Sequence, residues 1–364
     1  MKNTFGNTVQ VTLFGESHGV EIGIVIDGLA PGLTVDENNI VRQLSLRRPA
    51  DDLSTPRQEP DEFRIVSGVF NGKTTGTPLT IIIPNTAFRS EDYEKTRSLA
   101  RPGHADYAAY CKYHGFEDYR GGGHFSGRIT AALTAAGAIA LDVLRKKGIF
   151  IGTHIASCGG VKDVPFQRLD EDICALQGKS FATLSDEAGE AMRSVIRQAA
   201  SEGDSVGGVL ETAVTGIPAG VGEPWFDSVE SVLSHILFSI PGIKAVEFGD
   251  GFAMAESRGS LSNDAFGMQE GKVITLTNHN GGINGGVTNG MPLVFRCGVK
   301  PTPSVSRKQE TVDFVSGEER EIMVKGRHDP AIVHRARVVV DSVVALALCD
   351  MLAGRFGVDY LLEE

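Results

Sequence analysis

The sequence predicts a single domain of mixed helix and strand that spans residues 1–364. Segments with the two-residue alternation of strands are interleaved with segments of helical period, a pattern typical of both α/β and α+β folds. No proline- or serine-rich linker divides the chain, and its glycine-rich motifs are spread from residue 15 to residue 330. Loops that far apart form one site only if the chain folds back on itself, which favours one large domain over two.

The predicted strands and helices are assigned from local residue patterns. Strands are predicted at residues 7–14, 21–27, within 63–83, at 150–159 and 207–215, and near 243–248, 273–277 and 292–299. Helices are predicted at 34–47, 105–114, 126–147, 183–202, 227–239 and 333–353. The first of these helices follows a capping-box pattern that begins at Thr34. Residues 160–180 have no regular pattern and are predicted to be irregular.

Composition narrows the class of protein. Hydrophobic residues make up 41% of the chain and charged residues 22%, and the N-terminus lacks the apolar stretch of a secretory signal. No apolar run reaches the roughly 18 residues of a membrane span. The net charge of −11 makes nucleic acid a poor partner. We therefore expect a cytoplasmic protein without a membrane or nucleic-acid partner, in which local arginine clusters mark a site for an anion.

The five cysteines form no CxxC pair and are odd in number. A disulfide framework or a structural zinc site is therefore disfavoured, and a reducing compartment fits best. Each cysteine is predicted to be a small core residue. Three of the histidines, His104, His114 and His124, are ten residues apart, which is not the spacing of metal ligands, so no metal site is predicted.

The motif RGGGHFSGR at residues 120–128 places three glycines before a predicted helix that starts at Ser126. Free backbone N–H groups and the helix dipole at such a point favour an anion. Arg128 opposes the dipole in the first turn, which an anion bound beside it would explain. The motif is neither GxGxxG nor GxxxxGK[ST], so it predicts no Rossmann or NTPase phosphate site. The alternative is a set of tight turns in a loop-rich fold.

Two loop histidines are candidates for proton transfer. His18 lies in GESHG between two predicted strands, whereas the nucleophile elbow of a serine hydrolase needs a strand followed by a helix, so that class is disfavoured. His104 follows a Pro-Gly turn in RPGHAD. Asp329, in RHDP, suits a helix N-cap as well as a functional role.

Further loops carry cations or backbone donors. Residues 300–304 form a basic, hydroxyl-bearing loop, and residues 278–289 read as a second backbone cradle. Arg47 and Arg48, with Arg57 beyond them, add positive charge, although a solvated helix end is the favoured explanation when they are considered alone.

Taken together and in this order, the motifs resemble those of the chorismate synthase family. The resemblance extends over essentially the whole chain and is carried by GESHG (15–19), SGVFNGKTTGTPL (67–79), RPGHAD (101–106), YRGGGHFSGR (119–128), EFGDGF (247–252), GGINGGVTNG (281–290), KPTPS (300–304) and RHDP (327–330).

This resemblance implies conversion of 5-enolpyruvylshikimate 3-phosphate to chorismate and phosphate, the last step of the shikimate pathway. It implies an anti-1,4-elimination that requires reduced FMN without net redox change. It also implies an α+β fold in which helices lie between antiparallel sheets, and assembly into a homotetramer.

The resemblance also implies roles for individual residues. His18 would protonate the reduced flavin, His104 would assist the departing phosphate, and Asp329 would tune protons at the flavin. The implied substrate contacts are Ser17, Arg47, Arg101, Ser126, Arg128 and Arg327. The implied FMN contacts are His124, Phe125, Ser126, Pro241, Gly242, Gly285, Lys300, Pro301, Thr302, Pro303, Ser304 and Arg327. Arg47 would also contact NADP, since NADPH is a possible reductant.

The chain departs from the common family form in two places. The family loop GGGRSSARET reads GGGHFSGRIT here, so His124 and Phe125 replace Arg and Ser. A usual arginine is missing near Leu53, which bears on the pyridine-nucleotide contact. Two alternatives remain open on the sequence: a flavin reductase that uses NADPH, and a non-catalytic anion-binding protein that keeps the fold.

Overall fold

The computed structural model describes residues 2–48, 53, 60–86, 96–324 and 329–363. Its first sheet is antiparallel, with strand order β1-β2-β3-β7-β4. The strands in the N-terminal part of the chain are β1 (Thr4–Phe5), β2 (Gln10–Gly15), β3 (Glu21–Asp27), β4 (Arg64–Ser67), β5 (Val69–Phe70), β6 (Lys73–Thr74) and β7 (Leu79–Pro84). Of these, β5 and β6 form a separate hairpin.

The second sheet is also antiparallel, with strand order β11-β16-β10-β8-β9. Three two-stranded hairpins accompany it. The strands are β8 (Phe150–Cys158), β9 (Val161–Lys162), β10 (Gly208–Thr215), β11 (Ile243–Phe248), β12 (Phe266–Gln269), β13 (Lys272–Thr275), β14 (Ile283–Asn284), β15 (Val287–Thr288), β16 (Leu293–Val299), β17 (Gln309–Asp313) and β18 (Glu318–Ile322).

Two long helices form a layer between these sheets. The α-helices are α1 (Glu37–Arg47), α2 (Asp106–Tyr113), α3 (Thr130–Lys146), α4 (Leu169–Leu176), α5 (Asp186–Ser201), α6 (Val229–Leu237), α7 (Gly259–Ser262) and α8 (Val333–Phe356). Helix α3 contacts β3 and β7 of the first sheet and β8 of the second, while α8 packs on α3, β8 and β10. The sheets are antiparallel and sandwich the helices, which confirms the α+β expectation.

The helix layer is close-packed. A Cβ on Gly137 of α3 would overlap the side chain of Ser342 on α8, so the glycine sets how closely the two helix backbones approach. One continuous apolar core joins this layer to the isoleucines of β3 and β7 on one side and to Leu210 and Phe295 on the other. The helical stretch at residues 127–146 is long and apolar enough to span a membrane, but 89% of its apolar 18-residue window is buried inside the protein.

Several element predictions are corrected. The predicted irregular stretch at 160–180 contains β9 and α4, which carries a short apolar face that buries Ile173 and Leu176. Helix α1 begins at Glu37 with Asp36, not Thr34, as its N-cap. The helix predicted from Ser126 begins with a 3₁₀ turn at Gly127–Ile129 before α3.

The cysteine prediction is only partly right. All five thiols are free, but Cys111 and Cys174 are exposed rather than in the core. Each of these two lies on a short surface helix, where the size and polarity of a cysteine do not enforce burial.

Candidate active site

A glycine loop at residues 121–123 separates two predicted catalytic histidines. All three glycines have positive φ, at 60°, 83° and 52°, which other residues rarely adopt. A Cβ on Gly121 would overlap the imidazole of His18, and a Cβ on Gly122 would lie 3.0 Å from Cε1 of His104. The structure therefore brings His18 and His104 against adjacent residues of one backbone segment, although 86 positions separate them in sequence.

The turn that carries His18 is held from two directions. The backbone N–H of Ser17 donates to the carbonyl of Gly123 at 3.1 Å. The side-chain amide of Asn85 donates to the carbonyls of Glu16 and Gly19 at 2.9 and 2.8 Å. Ser17 and His18 are 2% and 3% exposed, so these two residues of the turn after β2 are buried and held by hydrogen bonds on both sides of the turn.

His104 belongs to a cluster with Arg101 and Asp106. Its Nδ1 lies 2.9 Å from Oδ1 of Asp106 and 3.0 Å from Nη2 of Arg101. Arg101 in turn donates to both oxygens of Asp106, from Nε at 2.7 Å and from Nη2 at 2.6 Å. Burial would raise the pKa of Asp106, but the hydrogen bonds from Arg101 and His104 hold that pKa well below its usual value.

Arg128 has a protein counter-ion, which corrects the inference that its position calls for a bound anion. Its Nη1 pairs with the buried carboxylate of Asp61, and its Nε donates to Oδ1 of Asn85 at 3.0 Å. Because Arg128 is only 7% exposed, this pairing explains a cation near the start of a helix without any ligand. Its predicted substrate contact stays a prediction.

Arg47 is held in the same buried network. Its Nη1 lies 3.4 Å from Asp61, its Nε donates to the hydroxyl of Thr130 at 3.0 Å, and its Nη2 donates to the carbonyl of Gly127 at 2.9 Å. Burial, with smaller contributions from the nearby cations Arg335 and Arg128, lowers the pKa of Arg47 to about 9 against the opposing effect of Asp61. The structure gives Arg47 a packing role, and its roles towards substrate and NADP remain predictions.

Asp329 lies beside this network. It forms an ion pair with Arg335, whose Nε donates to the carbonyl of Arg47 at 2.9 Å. Arg335 thus joins the start of α8 to the end of α1, and Asp329 pairs with it rather than acting as the N-cap of α8, which is Ile332. Its predicted proton-tuning role at a flavin stays a prediction.

The loop at 300–304 is brought against the His104 loop. Nζ of Lys300 donates to the carbonyl of Gly103, and a Cβ on Gly103 would lie 3.2 Å from Cβ of Pro303. The backbone N–H of Lys300 donates to the carbonyl of Gly242 at 2.9 Å. The predicted cofactor residues at 241–242 and 300–304 and the predicted catalytic His104 are therefore neighbours.

The cofactor candidates that directly follow the glycine loop, His124, Phe125 and Ser126, differ in their contacts. His124 is half-buried, and its Nδ1 donates to the carbonyl of Gly15 at 2.8 Å. Phe125 is 36% exposed and packs edge-on against Tyr113. The hydroxyl of Ser126 accepts from the backbone N–H of Arg128 at 3.3 Å, so it caps the turn as predicted.

The predicted cofactor residue Gly285 lies away from the two histidines. Gly285 forms the exposed turn between β14 and β15, and the neighbouring Gly286 packs against Ser228 at the start of α6 rather than against either histidine. Arg327 and Arg57 lie outside the described residues, so their predicted places stay predictions.

Three polar residues of the site were not singled out from the sequence. Asp61 pairs the buried arginines, Asn85 clamps the turn of His18, and Asp106 holds His104. Only Asp106 had a usable signal, since it lies two residues after His104 in RPGHAD. Asp61 and Asn85 sit in ordinary polar contexts, and their partners are far away in sequence.

Comparison with known proteins bears on this site. A family model described as chorismate synthase matches residues 9–353. Similar proteins named chorismate synthase include one of Chitinophaga pinensis, 46% identical over 96% of this chain and 96% of its own length. Those of Lachnospira eligens and Pyrococcus abyssi are each 45% identical over 96% of this chain, and the alignments cover 94% and 97% of their own lengths.

A solved structure described as a chorismate synthase is similar throughout. It has a TM-score of 0.76 and 27% sequence identity, and the superposition covers 97% of this chain and 94% of that chain.

Proposed function

The chain belongs to the chorismate synthase family, and from that premise we propose that it is a carbon–oxygen lyase acting on 5-enolpyruvylshikimate 3-phosphate. The proposed reaction removes phosphate and one ring proton in an anti-1,4-elimination and yields chorismate, the last step of the shikimate pathway. The proposed cofactor is reduced FMN. Family membership supports the activity, and the arrangement of residues supports the site.

One observation carries the location of the site: the imidazoles of His18 and His104 lie against adjacent glycines, Gly121 and Gly122, of a single loop. An elimination of this kind needs a proton donor beside the leaving phosphate. It also needs a group that accepts or relays the proton that the ring loses. Two fixed imidazoles, each able to exchange a proton near neutral pH, are suited to those tasks.

The residues present fit a flavin phosphate. The hydroxyl of Thr302 is buried and has no hydrogen-bond partner among the residues that the structure describes. It lies in the loop of Lys300, a cation exposed enough to reach a ligand. A buried unsatisfied hydroxyl next to a cation is favourable once an anion accepts from it. We propose that residues 300–304, with Gly242 and the glycine loop, hold FMN.

Reduced FMN, when bound, would supply an electron-rich ring that assists the elimination. The protein's own residues bind, orient and move protons. We propose that His104 gives a proton from Nε2 to the departing phosphate and that His18 holds a proton at its imidazole. Asn85 and the amide of Ser17 keep the His18 turn in place through hydrogen bonds of 2.8–3.1 Å.

The test is direct. Purified protein is mixed with 5-enolpyruvylshikimate 3-phosphate and chemically reduced FMN under anaerobic conditions, and chorismate and phosphate are measured. We expect both products in equal amounts, and none when FMN is oxidised. Absence of both products with reduced FMN would overturn the proposal.

The source of reduced flavin is a separate matter. NADPH is proposed as a possible reductant, and its oxidation by the protein with FMN and no added reductant would reveal a flavin reductase activity. We further propose that the protein is a cytoplasmic homotetramer. Light scattering on the purified protein, together with fractionation of its native cells, checks both statements.

A further inference from the structure

The carboxylate of Asp106 lies between Arg101 and His104, at the first residue of α2. The three side chains are 17%, 13% and 19% exposed, so they are largely shielded from water. The backbone N–H of Arg101 also donates to Asp106, at 3.0 Å. Counting this amide, Asp106 receives three hydrogen bonds from Arg101 and lies 2.9 Å from Nδ1 of His104.

These contacts determine which ring nitrogen of His104 carries a proton. An ionised carboxylate only accepts, so the 2.9 Å contact with Asp106 is a hydrogen bond only when Nδ1 of His104 is protonated. The competing contact, in which Nδ1 accepts from Arg101, requires the other tautomer. Arg101 donates from Nε and Nη2 to Asp106 at 2.7 and 2.6 Å, and both distances are shorter than the 3.0 Å approach of Nη2 to the imidazole.

The opposite nitrogen faces the site. Nε2 of His104 would lie 3.3 Å from a Cβ on Gly122, on the side of the glycine loop. The charged and titratable groups around this imidazole are Asp106 and Arg101 on its own segment, Lys300 at the carbonyl of Gly103, and His18 across the loop.

We propose that Asp106 is a positioning residue of the lyase, which keeps the proton of neutral His104 on Nδ1 so that Nε2 takes up and releases the catalytic proton. This inference rests on the proposed function and names a residue that acts through His104 rather than on the substrate. Arg101 holds the carboxylate in place, so its role is also positional. An aspartate that fixes a catalytic imidazole in this way is a recurrent arrangement in enzymes.

The first experiment needs neither substrate nor flavin. Nitrogen-15 NMR of histidine-labelled protein reports which ring nitrogen of neutral His104 is protonated. We expect the Nδ1–H tautomer in the parent protein and the Nε2–H tautomer in Asp106→Asn, because the asparagine amide would donate to Nδ1. Asp250→Asn is the matched control, since the Asp250 carboxylate also lies beside Nδ1 of a histidine, His279, at 2.6 Å, in another part of the chain. An Nε2–H tautomer in the parent protein overturns the proposal whether or not the variant folds.

The second experiment measures turnover. We expect Asp106→Asn to lower kcat on the order of 10²- to 10⁴-fold with little change in KM, since the residue does not touch the substrate. Asp106→Glu, which restores a carboxylate, is expected to recover part of kcat. A kcat near that of the parent in Asp106→Asn contradicts the proposal. The expected tautomers with no lyase activity in the parent would instead contradict the proposed function alone.

Discussion

Gly121 and Gly122 show how single residues set the geometry of the candidate site. Each has a positive φ and lies against a different histidine, so the loop contacts both imidazoles. Any side chain at Gly121 would have to displace His18, which is packed at 3% exposure and has no room to move aside. The residue type is therefore dictated by steric contact as well as by backbone conformation.

Gly121→Ala is predicted to cost roughly 1–2 kcal/mol of unfolding free energy from backbone strain. It is also predicted to lower kcat on the order of 10²-fold because it moves His18. Gly127→Ala is the matched control, since a Cβ there meets nothing within 4 Å and its φ is not positive. Denaturant titration and the chorismate assay measure the two effects. Equal behaviour of the two variants would contradict the steric argument.

At the scale of elements, a buried charge cluster ties β8 and β10 to the segment before α5. Nδ1 of His154 lies 2.9 Å from Asp163, and Nε2 lies 3.0 Å from Glu211 on β10. Burial would lower the pKa of His154, but the hydrogen bonds to the two carboxylates outweigh it and raise the pKa. Asp163 also accepts from the backbone N–H groups of Leu184 and Ser185, at 2.6 and 2.9 Å.

The stability contributed by His154 is predicted to depend on pH. Its pKa is raised on folding, so the contribution is complete below the unfolded value of about 6.5 and is lost as pH rises through the folded value. His154→Gln is therefore predicted to lower the unfolding free energy at pH 6 by roughly 2 kcal/mol or more, with a smaller deficit at high pH. Urea titrations of both proteins from pH 6 to pH 9 measure this deficit in unfolding free energy.

His279→Gln is the control for that series. His279 pairs with Asp250 at 2.6 Å, but its side chain is 31% exposed, so the expected loss is at most about 1 kcal/mol. A deficit in His154→Gln that grows with rising pH would contradict the sign of the prediction.

At the scale of the whole molecule, the last helix secures the first strands. Asp350 of α8 is 4% exposed and accepts from the backbone N–H groups of Asn7, Thr8 and Val9, at 2.7–3.1 Å. These amides belong to the turn between β1 and β2, so one carboxylate joins the N-terminal sheet to a C-terminal element. The same sheet carries the turn of His18 at the other end of β2.

Asp350→Ala is predicted to lower the unfolding free energy by roughly 3–5 kcal/mol, because buried amides lose their acceptor. Asp359→Ala, at an exposed position near the same terminus, is expected to change it by less than about 0.5 kcal/mol. Hydrogen exchange at residues 7–9 should rise in the first variant only. Unchanged exchange there would show that the carboxylate does not hold the turn.

The element order and most element bounds could be predicted from local patterns. The strand at 21–27, the paired strands near 208–215 and 293–299, and the helix after the glycine loop lie close to where their periodicities place them. The hairpin of β17 and β18 was not predicted, because most of its residues are exposed and polar and leave no apolar alternation. Helix α4, which buries only Ile173 and Leu176, was also missed.

The candidate site was predictable as a set of loops but not as a set of contacts. The histidines, the glycine loop and residues 300–304 were singled out from chemistry and from the family resemblance. That Arg128 is neutralised by Asp61, and that Asp106 holds His104, depends on residues that meet only in three dimensions.

The sequence by itself determined the fold class within two alternatives, the family resemblance and the residues able to carry charge or protons, because periodicity and residue chemistry are local. The tertiary structure decided the order in which the strands pair, that the two histidines face one glycine loop, and which arginines are internally paired. These outcomes depend on strand pairing, burial and charge balance between distant segments. No local stretch of the sequence specifies these long-range interactions.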